Sequence, residues 1–136
     1  MKLNPYITFA GDCEAAINFY KEVLDGEITV LMRFKEAPPE VFVVADEHKD
    51  LIMHCTLEFH GCSLLASDTI ELDKHIVGSN HSLSINVKSV EEGATIFNQL
   101  LEGGQPIMPF ADAFWGGKFG MLVDKFGVQW MISSEH

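Results

Sequence analysis

GDCEAAINFYKEVLDG, residues 11–26, lies without a gap over KSVEEGATIFNQLLEG, residues 88–103. In the first segment Ala16, Phe19, Tyr20, Val23 and Leu24 fall at the three-and-four spacing of a buried helix face, with Asp12 placed as N-cap and Gly26 as stop. In the second, Ser89 followed by Glu92 is a capping-box pattern. A further match joins LEFHGCSLLAS, residues 57–67, to VDKFGVQWMIS, residues 123–133, with a glycine in register at the centre of each. The chain is therefore an internal repeat.

Strand-like runs surround both helices. Residues 6–10 and SLSINV at 82–87 precede them, Glu27 to Phe34 and QPIMPF at 105–110 follow, and LIMHCTLEFHGCSLLASD reads as a hairpin turning at His60-Gly61. Each half is strand, helix and three strands. The helices repeat after 77 positions and the hairpins after 66, so the first half carries about eleven extra residues, which we place where Pro38-Pro39 interrupts the chain. The expected fold is α+β: one domain over 1–136, with a βαβββ module at 1–68, a linker at 69–80 and a second module at 81–136. One helix cannot bury both faces of a sheet, so the mixed sheet should curl around a cleft with the helices outside.

Alternation assigns the faces. With His60-Gly61 as a two-residue turn, Phe59 opposes Cys62, Leu57 opposes Leu64 and Cys55 opposes Ala66 on an apolar, helix-facing side. His54, Thr56 and Glu58 then share the other side with Ser67, Leu65 and Ser63. In the second half Val128, Trp130 and Ile132 turn to the helix, leaving Gln129, Met131 and Ser133 on the cleft side with Ser82, Ser84 and Asn86. Extending the repeat to the first strand puts Pro5, Ile7 and Phe9 there too. The expected ligand-binding set is Phe9, His54, Thr56, Leu65, Ser67, Ser84, Asn86, Trp115, Gln129 and Met131. Within that lining His54 is the one base suited to proton exchange near neutral pH, hence the candidate catalytic residue. A structural histidine bonded to Ser67 or to backbone is the competing reading.

FWGGKFGMLVDKFGVQWM, residues 114–131, combines aromatics with glycines. Phe126-Gly127 and Asp124 fit a hairpin turn and Trp130 fits the core. Trp115-Gly116-Gly117 is too glycine-rich for a ladder interior, and Trp115 is expected to close over a bound molecule or to pack at a dimer interface. Met108 and Met121 read as core filler. His48, His60 and His75 fall in loops or turns, and Asp68 and Asp124 read as turn and cap groups.

The 136 residues carry a formal net charge of -11, with nine Lys and Arg against twenty Asp and Glu. That balance argues against nucleic acid and against anionic membrane surfaces as partners. Cys13, Cys55 and Cys62 show no metal or redox spacing and read as reduced thiols. No apolar run is long enough to span a membrane, and a cytoplasmic location is expected.

PYITFAGDCEAAINFYKEVLDGEI, the IMHCTLEFHGCSLLASD hairpin, GGQPIMPF and FWGGKFGMLVDKFGVQWMI, in that order, resemble the PhnB-like branch of the vicinal-oxygen-chelate superfamily, which includes glyoxalase I, bleomycin resistance proteins and extradiol dioxygenases. The resemblance implies the glyoxalase/bleomycin resistance fold of paired βαβββ modules and a homodimer, with the cleft built within or between chains. It also implies a divalent metal held at four strand positions, which here are Pro5, Leu65, Ser82 and Met131. None of these is a fitting ligand, so no metal and no other cofactor is expected, with a divalent metal as the alternative. His81 would reach such a position after a one-residue shift. The branch is also labelled demethylubiquinone methyltransferase-like, but the chain has no glycine-rich strand-to-helix turn of the Rossmann kind with an acidic residue downstream. Three readings remain: a small-molecule binder, an enzyme using His54 with or without a metal, and a purely structural or regulatory dimer.

Overall fold

The structure, a computed structural model, describes residues 1–41 and 43–135. The chain forms two compact units, Met1–Ile76 and Val77–His136. The first contains β1 (Tyr6–Phe9), α1 (Cys13–Leu24), β2 (Glu27–Arg33), β3 (Ile52–Phe59) and β4 (Cys62–Asp68). The second contains β5 (Leu83–Val87), α2 (Val90–Leu101), β6 (Gln105–Asp112), β7 (Lys118–Val123) and β8 (Gln129–Ser134). Both are mixed four-stranded sheets with the same topology, β1-β4-β3-β2 and β5-β8-β7-β6. In each, the first strand pairs parallel with the last and the other pairs are antiparallel.

In the first unit, Cys13, Ala16, Ile17, Tyr20 and Leu24 of α1 are buried, as are Cys55, Leu57, Leu64 and Ala66 of the strands it contacts. The hairpin follows the alternation: Cys55, Leu57 and Phe59 pair with Ala66, Leu64 and Cys62. His60 and Gly61 both have positive φ, 48° and 79°, as a tight turn matching strand twist requires. Asp12 stands at the N-cap of α1 but makes no side-chain capping bond. The role passes to Asp68 at the end of β4, 4% exposed, which accepts from the N–H groups of Gly11 (2.9 Å), Cys13 (3.0 Å) and Ile52 (2.9 Å). One carboxylate thus ties the entry of α1 to the start of β3. At the helix exit the left-handed residue is Asp25, φ 52°, rather than Gly26. Gly26 is needed for space, since a Cβ there would lie 2.9 Å from the Glu58 carbonyl oxygen.

The extra residues lie between β2 and β3, in the segment holding Pro38-Pro39, whereas β6 and β7 are joined by a short turn. Phe42, within this excursion, falls outside the described residues. Its base is held by Arg33 to Glu14 of α1 (2.7 and 3.1 Å) and by Lys35 to Asp50 (3.0 Å).

In the second unit Ser89 caps α2, its Oγ accepting from the Glu92 N–H at 3.1 Å. Phe97 and Leu100 of α2 are buried, as are Leu122, Trp130 and Ile132 of the adjacent strands. Gly93 leaves room for the ring of Phe110, which stacks on Phe97 at 5.7 Å, and Gly120 leaves room for the Phe97 ring and the Phe110 backbone. Asp124, 3% exposed, accepts from the N–H groups of Phe126 (2.8 Å) and Val128 (3.0 Å) and from the Trp130 indole (2.8 Å). It is both the turn group its position suggests and the partner of the largest core side chain.

The repeat differs by one residue between first strand and helix. Three residues separate β1 from α1 and two separate β5 from α2, so an ungapped overlay of the helices misplaces β1 by one. The consequence is a correction: Phe9 is not on the side of His54. It pairs with Asp68, is 3% exposed and belongs with Ile7 to the helix-facing side, while Tyr6 and Thr8 occupy the open side.

Candidate functional site

Each sheet covers one face with its helix and leaves the other open, and of the sequence-predicted residues all but Phe9, on the helix side, and Trp115, in the β6–β7 turn, fall on those open faces. In the first unit the pairings Tyr6↔Leu65↔Thr56↔Val30 run across all four strands, and the pairs Thr8↔Ser67 and His54↔Met32 both lie in the next row on the same side of it. The Tyr6 hydroxyl and His54 Nδ1 are 3.1 Å apart and their rings stack at 5.7 Å, 27° from parallel. His54 Nε2 lies 3.4 Å from Thr56 Oγ1. Tyr6, His54 and Thr56 thus form a continuous polar chain bordered by Leu65, Val30 and Met32. Val30 and Met32 reach this face because the β2–β3 register shifts between Ile28 and Val30, where β2 carries one extra residue. Tyr6 is 48% exposed, so the chain meets the surface directly.

In the second unit Ser84↔Met131↔Met121↔Met108 form one row and Asn86↔Ser133↔Phe119 the next. Asn86 Nδ2 donates to Ser133 Oγ at 3.1 Å, and Gln129 Nε2 donates to the Gly78 carbonyl at 3.4 Å. Met108 and Met121 sit on this open face and not in the core: Met121 stands directly across from Met131 in the unshifted β7–β8 ladder, and bulges in β6 bring Met108 beside it. Trp115 lies in the β6–β7 turn, closed by the Ala113 N–H to the Gly117 carbonyl at 3.0 Å, with positive φ at Gly116 and Gly117. It is 63% exposed and rests edge-on against Phe119 at 5.7 Å. The indole therefore borders the row that holds Asn86 and Ser133.

The donor chemistry of these faces does not suit a divalent cation. Pro5 precedes β1 and offers only its carbonyl, which accepts from the Leu65 N–H at 3.0 Å. The strand partners of Leu65 and Met131 are Tyr6 and Ser84. A phenol, an alkyl group, an alcohol and a thioether are a poor ligand set for zinc, iron or manganese. Among the described residues no three His, Cys, Asp or Glu side chains gather in metal-binding geometry. His81 precedes β5 and is exposed.

Tyr6 and Phe119 were not in the predicted set. Tyr6 is legible in hindsight, because Tyr6-Ile7-Thr8-Phe9 alternates polar and apolar and would by itself have put Tyr6 and Thr8 on the open side. Phe119 follows once Met121 is placed across from Met131.

Over residues 1–133 the chain matches the model of a family described as 3-demethylubiquinone-9 3-methyltransferase. It is 32% identical to protein YjdN of Escherichia coli strain K12, over 98% of this chain and 95% of that one. Protein PA1353 from Pseudomonas aeruginosa superimposes with a TM-score of 0.90 at 36% identity, covering 99% of this chain and 98% of that one. A protein from Bacillus cereus described as a putative 3-demethylubiquinone-9 3-methyltransferase, PhnB protein, does so with a TM-score of 0.83 at 27% identity, covering 98% and 99%. A glyoxalase/bleomycin resistance protein/dioxygenase family enzyme from Burkholderia phytofirmans PsJN, 11% identical over 98% of this chain and 97% of that one, shares the fold with a TM-score of 0.67. Among the described residues no helix is long and apolar enough to cross a membrane.

Proposed function

The chain belongs to the PhnB-like family described as 3-demethylubiquinone-9 3-methyltransferase and has the glyoxalase fold, and from that premise we propose that it binds a small organic molecule on its open sheet faces without a divalent metal. The observation that carries the reading is the Tyr6–His54–Thr56 chain, polar groups already oriented by one another within an apolar border. Such a surface holds a flat ligand by stacking and fixes its direction by hydrogen bonding. The open face of the second unit, with its methionine row and Trp115, offers a separate apolar surface, since thioethers and an exposed indole adapt to apolar ligands of varied shape. The family description names methyl transfer, but the donor groups on these faces offer no methyl donor a recognisable seat, and the reading does not extend to that reaction.

A second reading has a specific support: the 3.1 Å contact between Tyr6 and His54 pairs two proton-exchanging groups, as acid/base catalysis in lyase or isomerase chemistry would use. Exposed apolar side chains on the open faces, Val30, Met32 and Met108 among them, also support a homodimer as the working form.

The test is a panel of small aromatic and carbonyl compounds screened by thermal shift, with hits followed by calorimetry on His54→Ala, Tyr6→Phe and Trp115→Ala. Loss of one hydrogen bond or one stacking contact predicts roughly five- to tenfold weaker binding for each variant. Hits whose affinity is unchanged in all three variants would place the ligand elsewhere. Turnover abolished by His54→Ala while binding is only weakened would move the enzymatic reading to first place.

A further inference from the structure

Behind the open face of the first unit, two thiols meet in its core. Cys13 opens α1 and Cys55 lies at the middle of β3; both are fully buried, and their sulfurs are 3.7 Å apart. Cys62, the third cysteine, is exposed on the hairpin. Cys55 stands between His54 and Thr56 in sequence, on the opposite side of the strand. The pair is therefore back to back with the polar chain of the candidate site.

We propose that Cys13 and Cys55 are a latent disulfide that staples the first turn of α1 to β3 under oxidising conditions. A disulfide needs its sulfurs at about 2.05 Å, so closure requires roughly 1.7 Å of combined movement. The sheet side is fixed, because β3 is paired on both edges. The helix side is freer: α1 begins without a side-chain cap from Asp12, and Gly11 precedes it at φ 108°. What restrains that turn is Asp68, whose Oδ1 holds the Gly11 and Cys13 N–H groups while Oδ2 holds Ile52 of β3. Movement of Cys13 toward Cys55 must change the first two bonds and leave the third.

The electrostatics order the steps. The hydrogen bond to Cys55, burial and the nearby Asp68 carboxylate push the Cys13 thiol up, while the hydrogen bond between the two sulfurs lowers Cys55. Cys55 is thus the attacking sulfur. With a low-molecular-weight disulfide such as oxidised glutathione, admitted when the first turn opens, the Cys55 thiolate displaces one thiolate and forms a mixed disulfide. The Cys13 sulfur then attacks Cys55 Sγ, and the second small thiol leaves with the released proton. Two protein thiols and one small disulfide become one protein disulfide and two small thiols.

The experiment uses the full chain as Cys62→Ser, leaving one possible intramolecular pair. Protein is unfolded, then refolded to equilibrium in glutathione redox buffer, so that burial does not limit access, and the free thiols are alkylated in denaturant and counted by mass. The same buffer with denaturant retained gives the unfolded reference. The native fold should favour the 13–55 disulfide over that reference by roughly 10²–10³-fold, the factor expected for closing a loop of this length without strain. In the oxidised protein the amide resonances of Gly11 and Cys13 should shift while that of Ile52 stays. A native-state enrichment below tenfold would overturn the proposal, as would a disulfide whose formation unfolds α1 by circular dichroism. Cys13→Ser and Cys55→Ser in the same background must yield no intramolecular bond.

Discussion

Replacing Asp68 should be the most damaging single-atom-scale change in the first unit. The carboxylate accepts three backbone N–H groups at 2.9–3.0 Å, two of them fully buried. Hydrogen bonds to a charged acceptor contribute about 1.5–3 kcal/mol each, a gross loss of roughly 4–9 kcal/mol for Asp68→Ala. Removing a buried charge returns part of its desolvation cost, several kcal/mol in real proteins, which brings the net loss to about 3–5 kcal/mol. Against a typical domain stability of about 5–15 kcal/mol this is a large share. Asp68→Asn keeps an oxygen for Gly11 and Cys13 but turns an NH₂ toward the Ile52 N–H, so it should cost about half as much. Urea unfolding followed by far-ultraviolet circular dichroism measures both, and hydrogen exchange locates the damage at the Cys13 and Ile52 amides. A loss below about 1 kcal/mol for Asp68→Ala with an unchanged denaturant slope would show that the three donors find water or other partners. Equal losses for Ala and Asn would show that the charge, and not the geometry of three donors, carries the effect.

Gly120→Ala should destabilise the second unit, because the added Cβ would lie 2.7 Å from the Phe97 ring and 2.8 Å from the Phe110 backbone; overpacking against backbone costs about 1–3 kcal/mol, read as a lowered urea midpoint. Trp115→Ala should leave the thermal midpoint within a degree or two, since the indole is mostly exposed, so any loss of ligand binding in that variant reports contact and not unfolding. The Arg33 guanidinium beside Glu14 holds its carboxyl below the ordinary range. A depressed folded-state value means the pair stabilises the fold above the unfolded value and ceases to do so as pH falls through the folded one. Stability of the parent minus that of Glu14→Gln should therefore be small and positive at neutral pH, vanish in acid, and shrink with added salt because Glu14 is half exposed.

The fold was legible because its most regular parts are local. A two-residue turn at His60-Gly61 fixes which side every residue of β3 and β4 faces, and the matched helices fix the repeat. What sequence overlay missed was set by a connection, not by a pattern: one additional residue between β1 and α1 reverses the facing of the whole first strand, moving Phe9 to the core and Tyr6 to the open side. Long-range ties were equally illegible. Nothing in the order of residues links Asp68 to Gly11 and Cys13, or Arg33 to Glu14, until the strands are placed. The place of Met108 was hidden by bulges in β6, where the period of two is broken and alternation no longer counts faces.

The parallel pairing of first strand with last has a consequence for biosynthesis. Hairpins such as β3–β4 close short loops and form as soon as they are made, but β1 has no partner until the chain through Asp68 has left the ribosome. The same holds for β5, which must wait for β8. Each unit is thus completed by its last few residues, and until then an apolar strand edge and the underside of a helix stand uncovered. Nascent chains halted before Asp68 or before Ser134 are the forms most in need of a chaperone.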